Sequence, residues 1–210
     1  MLFKDSFIIN PETFLLIQEL QSLEILKEFY LVGGTALALK LGHRNSIDID
    51  LFTQNEFDDV QLIDHILQKY KIQLVYNRKN TIICSINDIK TDFIRHNFPL
   101  INEPITEEGI TYLSLEDISA MKLNAIVNSG KRLKDFIDIY FLLEQFSLNQ
   151  MLVFYELKYQ HSNRMIALRA INFFEEIGSN LDPPILKNPL PLSKIKKRIN
   201  EAVLKGNKIF

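Results

Sequence analysis

Apolar residues recur along this chain with two periods, and the switches between them mark out the elements. From Pro11-Glu12 onward, Phe14, Leu16, Ile17, Leu20, Leu23 and Leu26 follow a spacing near 3.6, which predicts an amphipathic helix that packs on a sheet, with Pro11 suited to its first turn. Phe29 to Val32 is a short apolar strand, and Thr35 to Leu41 is a helix. Asp48 to Phe52 alternates as a strand, and Phe57, Val60, Leu62, Ile63, Ile66 and Leu67 return to the helical period. Ile72 to Tyr76 and Thr81 to Ile86 read as strands joined in a hairpin across Asn77 to Asn80, with a further strand over Ile89 to Arg95. This order predicts a mixed sheet with helices laid on it.

The second half reads as helical. Ser114-Leu115-Glu116-Asp117 has the form of a capping box, with Ser114 accepting a helix N–H and Asp117 reaching back. A helix should follow to about Val127, where Asn128-Ser129-Gly130 stops it. Lys131 to Gln145, rich in Phe136, Ile137, Ile139, Tyr140, Leu142 and Leu143, predicts a second helix, and a third starts near Asn149. Asp182 to Pro191 is too rich in proline for regular helix and joins a terminal helix to the body. The class is therefore α+β, with an α/β half over residues 1–113 and a helical half over 114–210. There are no internal repeats and no low-complexity segment.

At 210 residues, with 47% hydrophobic and 24% charged residues, the chain has the composition of a folded globular protein. Its single cysteine, Cys84, lies in an apolar strand, which excludes an internal disulfide and gives the thiol a packing role. No apolar run reaches the roughly 18 to 20 residues of a membrane span, and the first residues do not resemble a signal peptide, so a cytoplasmic protein is expected. The net charge of −2 conceals an asymmetry: residues 151–210 hold 10 Lys/Arg against 5 Asp/Glu. A basic tail beside an acidic first half suits the guiding of nucleic acid, although Lys194, Lys196, Lys197 and Arg198 equally suit a solvated helix face.

The densest chemistry lies in Val32-Gly33-Gly34-Thr35 and Asp48-Ile49-Asp50. Two glycines between a strand and a helix permit a tight turn, and the free N–H groups and positive dipole end of that helix can hold a polyphosphate. Asp48 and Asp50, two apart on a strand, turn both carboxylates to one face, as a Mg²⁺ ion completed by waters and nucleotide phosphates requires. Thr35 stands where its hydroxyl can touch a phosphate or cap its own helix, and Arg44 can add positive charge or pair with Asp48 or Asp58. His43, His65, His96 and His161 are scattered, which points away from a zinc site or a His-based triad.

The run LVGGTALALKLGHRNSIDIDLF resembles the AbiEii/AbiGii-type nucleotidyltransferase toxins of the polymerase-β-like superfamily. A second block, Leu115 to Ala125 followed by Arg132 to Tyr140, matches the same family, so the resemblance covers roughly residues 28–145. It implies a polymerase-β-like fold with a helical half, and Mg²⁺-dependent transfer of a nucleoside monophosphate from an NTP to a hydroxyl. It further implies Asp92 as a third carboxylate and metal ligand, with Asp88 as competitor, Lys122 as the nucleotide-contacting lysine, and Asp138 as the acidic partner in that block. Asp135 lies three residues before Asp138 on the same helical face, and either can orient Lys122 or bind base or ribose.

For partners, the resemblance implies the effector half of a type IV toxin–antitoxin or phage-defence pair, a cognate antitoxin, and tRNA 3′ ends as acceptor. Three other readings stay open: a small-molecule nucleotidyltransferase of the aminoglycoside-modifying kind, an enzyme transferring AMP to protein, and a non-catalytic scaffold. Asp50→Ala and Lys122→Ala are each expected to abolish transfer and leave the fold intact.

Overall fold

In the computed structural model, residues 1–178 and 184–210 are described. The chain divides into two compact units, Met1–Phe98 with Pro104–Leu113, and Pro99–Glu103 with Ser114–Phe210.

The first unit is built on a seven-stranded sheet of order β3-β4-β5-β2-β1-β7-β6. Its strands are β1 (Tyr30–Leu31), β2 (Ile49–Thr53), β3 (Ile72–Arg78), β4 (Thr81–Ile86), β5 (Ile89–Arg95), β6 (Ile105–Glu107) and β7 (Ile110–Tyr112). The sheet is mixed, because β2 runs parallel to β5 and β1 parallel to β7, while the other neighbours are antiparallel. Helix α1 (Pro11–Gln21) starts as the pattern requires: the Asn10 side chain accepts the Glu12 N–H and proline opens the first turn. Helices α2 (Gly33–Leu41) and α3 (Asp59–Leu67) complete the unit. Leu31, Ile49, Leu51, Ile82, Ile86 and Phe93 from the sheet are buried with Ile17 and Leu20 of α1, Leu37 and Leu39 of α2, and Ile66 of α3. Cys84 packs there too, its Sγ donating to Thr91 O at 3.2 Å, and burial pushes its thiol up to about 12.

The pairing of β2 with β5 sets the candidate chemistry. Ile49 stands opposite Thr91, Asp50 opposite Asp92 and Leu51 opposite Phe93, so the apolar members of both strands share one face and the two aspartates the other.

The second unit is helical: α4 (Leu115–Asn128), α5 (Leu133–Leu142), α6 (Leu148–Lys158), α7 (Arg164–Ile171) and α8 (Leu192–Leu204). Its core joins Leu123 and Ile126 of α4, Phe136 and Ile139 of α5, Met151 of α6, Ile171 of α7 and Ile195 and Ile199 of α8. Half of the expected capping box forms at α4, where Ser114 Oγ accepts the Asp117 N–H at 3.0 Å. Asp117 does not close the box. Its carboxylate accepts from Ser114 Oγ at 2.7 Å, from the Ile101 N–H at 3.1 Å and from Lys158 Nζ at 2.7 Å. Lys158 also donates to Pro99 O at 3.1 Å, and this fully buried ion pair ties residues 99–103 to the helices. The reciprocal capping box lies instead at α6, between Ser147 and Gln150. Of the proline-rich stretch, Asp182 and Pro183 lie outside the described residues, and 184–191 carry no helix.

Candidate active site

The turn from β1 into α2 uses both glycines for space. Gly33 has φ +70°, a left-handed backbone, and a methyl group on it would overlap the Asp50 carboxylate. A methyl group on Gly34 would overlap the Arg44 guanidinium. The Val32 N–H donates to Asp50 O at 2.9 Å, which fixes the turn to β2. Arg44 is buried, donates from Nη1 to Asn45 O at 2.9 Å, and rests against Gly34 in the first turn of α2. A guanidinium beside a helix N-terminus concentrates positive charge, an arrangement suited to a phosphate.

Thr35 does not cap its own helix. Its hydroxyl is buried and bonded to Ser46 Oγ at 2.8 Å and to Asp48 O, and α2 has no side-chain cap. It thereby holds the segment that carries Asp48.

Asp48 and Asp50 are half-buried, and Asp92 is 7% exposed. Asp92 Oδ2 accepts from Lys90 Nζ at 3.0 Å, whereas its buried Oδ1 has no hydrogen-bond partner among the described residues. Burial pulls the Lys90 ammonium down, but the hydrogen bond to Asp92 and the negative charges of Asp92, Asp50 and Asp48 outweigh it, and the pKa rises. All three proposed carboxylates therefore act on one point. Among the described residues no three His, Cys, Asp or Glu side chains are grouped to hold an ion unaided. The donor set still fits Mg²⁺: hard oxygens on two neighbouring strands, one of them a buried acceptor without a donor.

In the helical unit, Lys122 of α4 is buried between two carboxylates of α5, with Nζ 2.8 Å from Asp135 Oδ1 and 2.7 Å from Asp138 Oδ2. Both aspartates hold the lysine, where the sequence left a choice between them. Lys90 escaped the sequence reading. Its signal was the i, i+2 alternation with Asp92 on one strand, which places a cation on the carboxylate face.

A family model described as "Nucleotidyl transferase AbiEii toxin, Type IV TA system" matches residues 16–100 and 82–202. The chain belongs to the AbiEii nucleotidyltransferase toxin family. An uncharacterised protein of Aquifex aeolicus (strain VF5) is 32% identical over 177 residues, spanning 80% of this chain and 85% of that protein. Among solved structures, MenT4, a nucleotidyltransferase toxin from Mycobacterium tuberculosis H37Rv, superposes with a TM-score of 0.59 at 13% identity, covering 89% of this chain and 79% of that one. JHP933 from Helicobacter pylori gives 0.54 at 14% identity, covering 94% and 92%. These likenesses carry the fold, which is that of the polymerase-β-like nucleotidyltransferases. As an AbiEii protein the chain is an enzyme of nucleotidyl transfer that takes an NTP as substrate. Among the described residues no helix is long and apolar enough to cross a membrane.

Proposed function

We propose that this AbiEii protein is a Mg²⁺-dependent toxin that transfers a nucleoside monophosphate from an NTP to the 3′ hydroxyl of tRNA, releasing pyrophosphate. The observation that carries the reading is the in-register pair Asp50 and Asp92 on β2 and β5, beside a glycine turn shaped around Asp50. Asp48, Asp50 and Asp92 would hold the ion, which when bound neutralises phosphate charge and polarises the α-phosphate. The N–H groups of Gly34 and Thr35 at the start of α2, with Arg44, hold the phosphates by charge and hydrogen bonding. Asp92 takes the proton of the attacking hydroxyl, and its uncommitted Oδ1 supports that role. Lys122, held by Asp135 and Asp138, is the lysine to which the family resemblance assigns nucleotide contact. A cognate antitoxin and a role in toxin–antitoxin or phage-defence systems follow from the family.

The test is incubation with each α-³²P-labelled NTP, Mg²⁺, total tRNA and cell protein, alongside an Asp48→Ala/Asp50→Ala variant. Label on tRNA with the wild type alone is the expected result. Label on protein, or equal labelling by the variant, would overturn it.

A further inference from the structure

The face of β2 and β5 that carries Asp50 and Asp92 also carries a cation, Lys90, two residues before Asp92 on β5. Ile49 is opposite Thr91 and Asp50 is opposite Asp92, while Asp48 directly precedes the first paired residue of β2. Adjacent strands lie about 4.8 Å apart, so Asp50 and Asp92 are immediate neighbours, and Lys90 is near enough to feel the charges of Asp92, Asp50 and Asp48. Lys90 Nζ is 3.0 Å from Asp92 Oδ2, on a side chain that is itself 53% exposed. The geometry points to Lys90 as a built-in counter-cation that holds the carboxylates together before the metal arrives and is displaced when it binds.

Asp50 and Asp92 on adjacent strands, with Asp48 two residues before Asp50, bring like charges close together, and Asp92 is shielded from water. A divalent ion relieves that repulsion in the loaded enzyme. In its absence Lys90 Nζ donates to Asp92 Oδ2 at 3.0 Å. The lysine stem is flexible and its head reaches solvent, so the ammonium can leave Asp92 Oδ2 without rearrangement of β5. Oδ1, which already lacks a donor, is then joined by Oδ2 as a second open acceptor. Lys90 is thus a positioning residue, acting through Asp92. Metal affinity is lowered by its competition, and the metal-free carboxylates are steadied by its charge.

This inference rests on the assignment of Asp48, Asp50 and Asp92 to metal. The experiment is Mn²⁺ binding to the full chain without nucleotide, followed by electron paramagnetic resonance, for wild type, Lys90→Gln and Lys90→Arg, with thermal unfolding of each in EDTA. Lys90→Gln is expected to bind Mn²⁺ about two- to fivefold more tightly, the range of a partly exposed ion pair, and to melt earlier than wild type in EDTA but not with Mn²⁺. Lys90→Arg keeps the charge and is expected to stay near wild type in both. Equal or weaker Mn²⁺ binding by Lys90→Gln would overturn the role of Lys90 while leaving the metal site standing. No Mn²⁺ binding by folded protein of any of the three would overturn both.

Discussion

Replacing Gly33 by alanine tests the turn at its tightest point. The left-handed backbone costs roughly 1–2 kcal/mol for a residue with a Cβ, and the added methyl displaces the Asp50 carboxylate. Gly33→Ala is therefore expected to lower the melting temperature by several degrees and to abolish transfer, read by calorimetry and the labelling assay; wild-type activity would detach the turn from the chemistry. Lys122→Ala departs from the expectation drawn from sequence. The ammonium lies between Asp135 and Asp138, at 3% and 0% exposure, so its removal should cost about 3–5 kcal/mol in urea unfolding as well as activity. A variant as stable as wild type would mean that this trio is not a buried ion pair in solution. Half-buried Asp50 is the cleaner site for a catalytic alanine.

At the scale of elements, Asp117 and Lys158 connect α4, α6 and the segment 99–103 through one fully buried charge pair. Lys158→Ala strands the carboxylate in the core and is expected to destabilise the protein by about 3–5 kcal/mol, measured by urea unfolding followed by circular dichroism. A loss below about 1 kcal/mol would mark the pair as solvated. The longer periodic elements were legible: α2, β2, β4, β5 and α4 lie within a few residues of where the pattern sets them, whereas α1 stops at Gln21 and leaves Leu23 and Leu26 outside it. The hairpin β6–β7 was not. Its strands have three residues each, too few for a period, and β7 gains its place by parallel pairing with β1, a contact far away in sequence. Helix α7, eight residues long, also went unread. The motif residues were legible because spacing on a strand is local. The partners of Thr35, Asp117 and Lys158 were not, since those bonds depend on how distant segments meet.

Taken as a whole molecule, the chain carries its basic excess late, but much of it is already engaged. Arg198 pairs with Glu144 and stacks 3.5 Å over the Tyr140 ring, and Lys196 lies over Phe174. Lys194 and Lys197 of α8 are exposed and line the same groove as Tyr140 and Arg198. If tRNA is the acceptor, labelling should fall at least about tenfold between roughly 50 and 200 mM salt, and Lys194→Glu/Lys197→Glu should weaken it and flatten that dependence. Salt-independent labelling would argue for a small acceptor.

The polypeptide enters the helical unit at Pro99, leaves it after Glu103 and returns at Ser114. No single cut therefore yields both units whole. A fragment starting at Ser114 would keep Asp117 and Lys158 but lose the Ile101 N–H and Pro99 carbonyl that satisfy them. Exchange of the helical half between relatives by one crossover would meet the same obstacle.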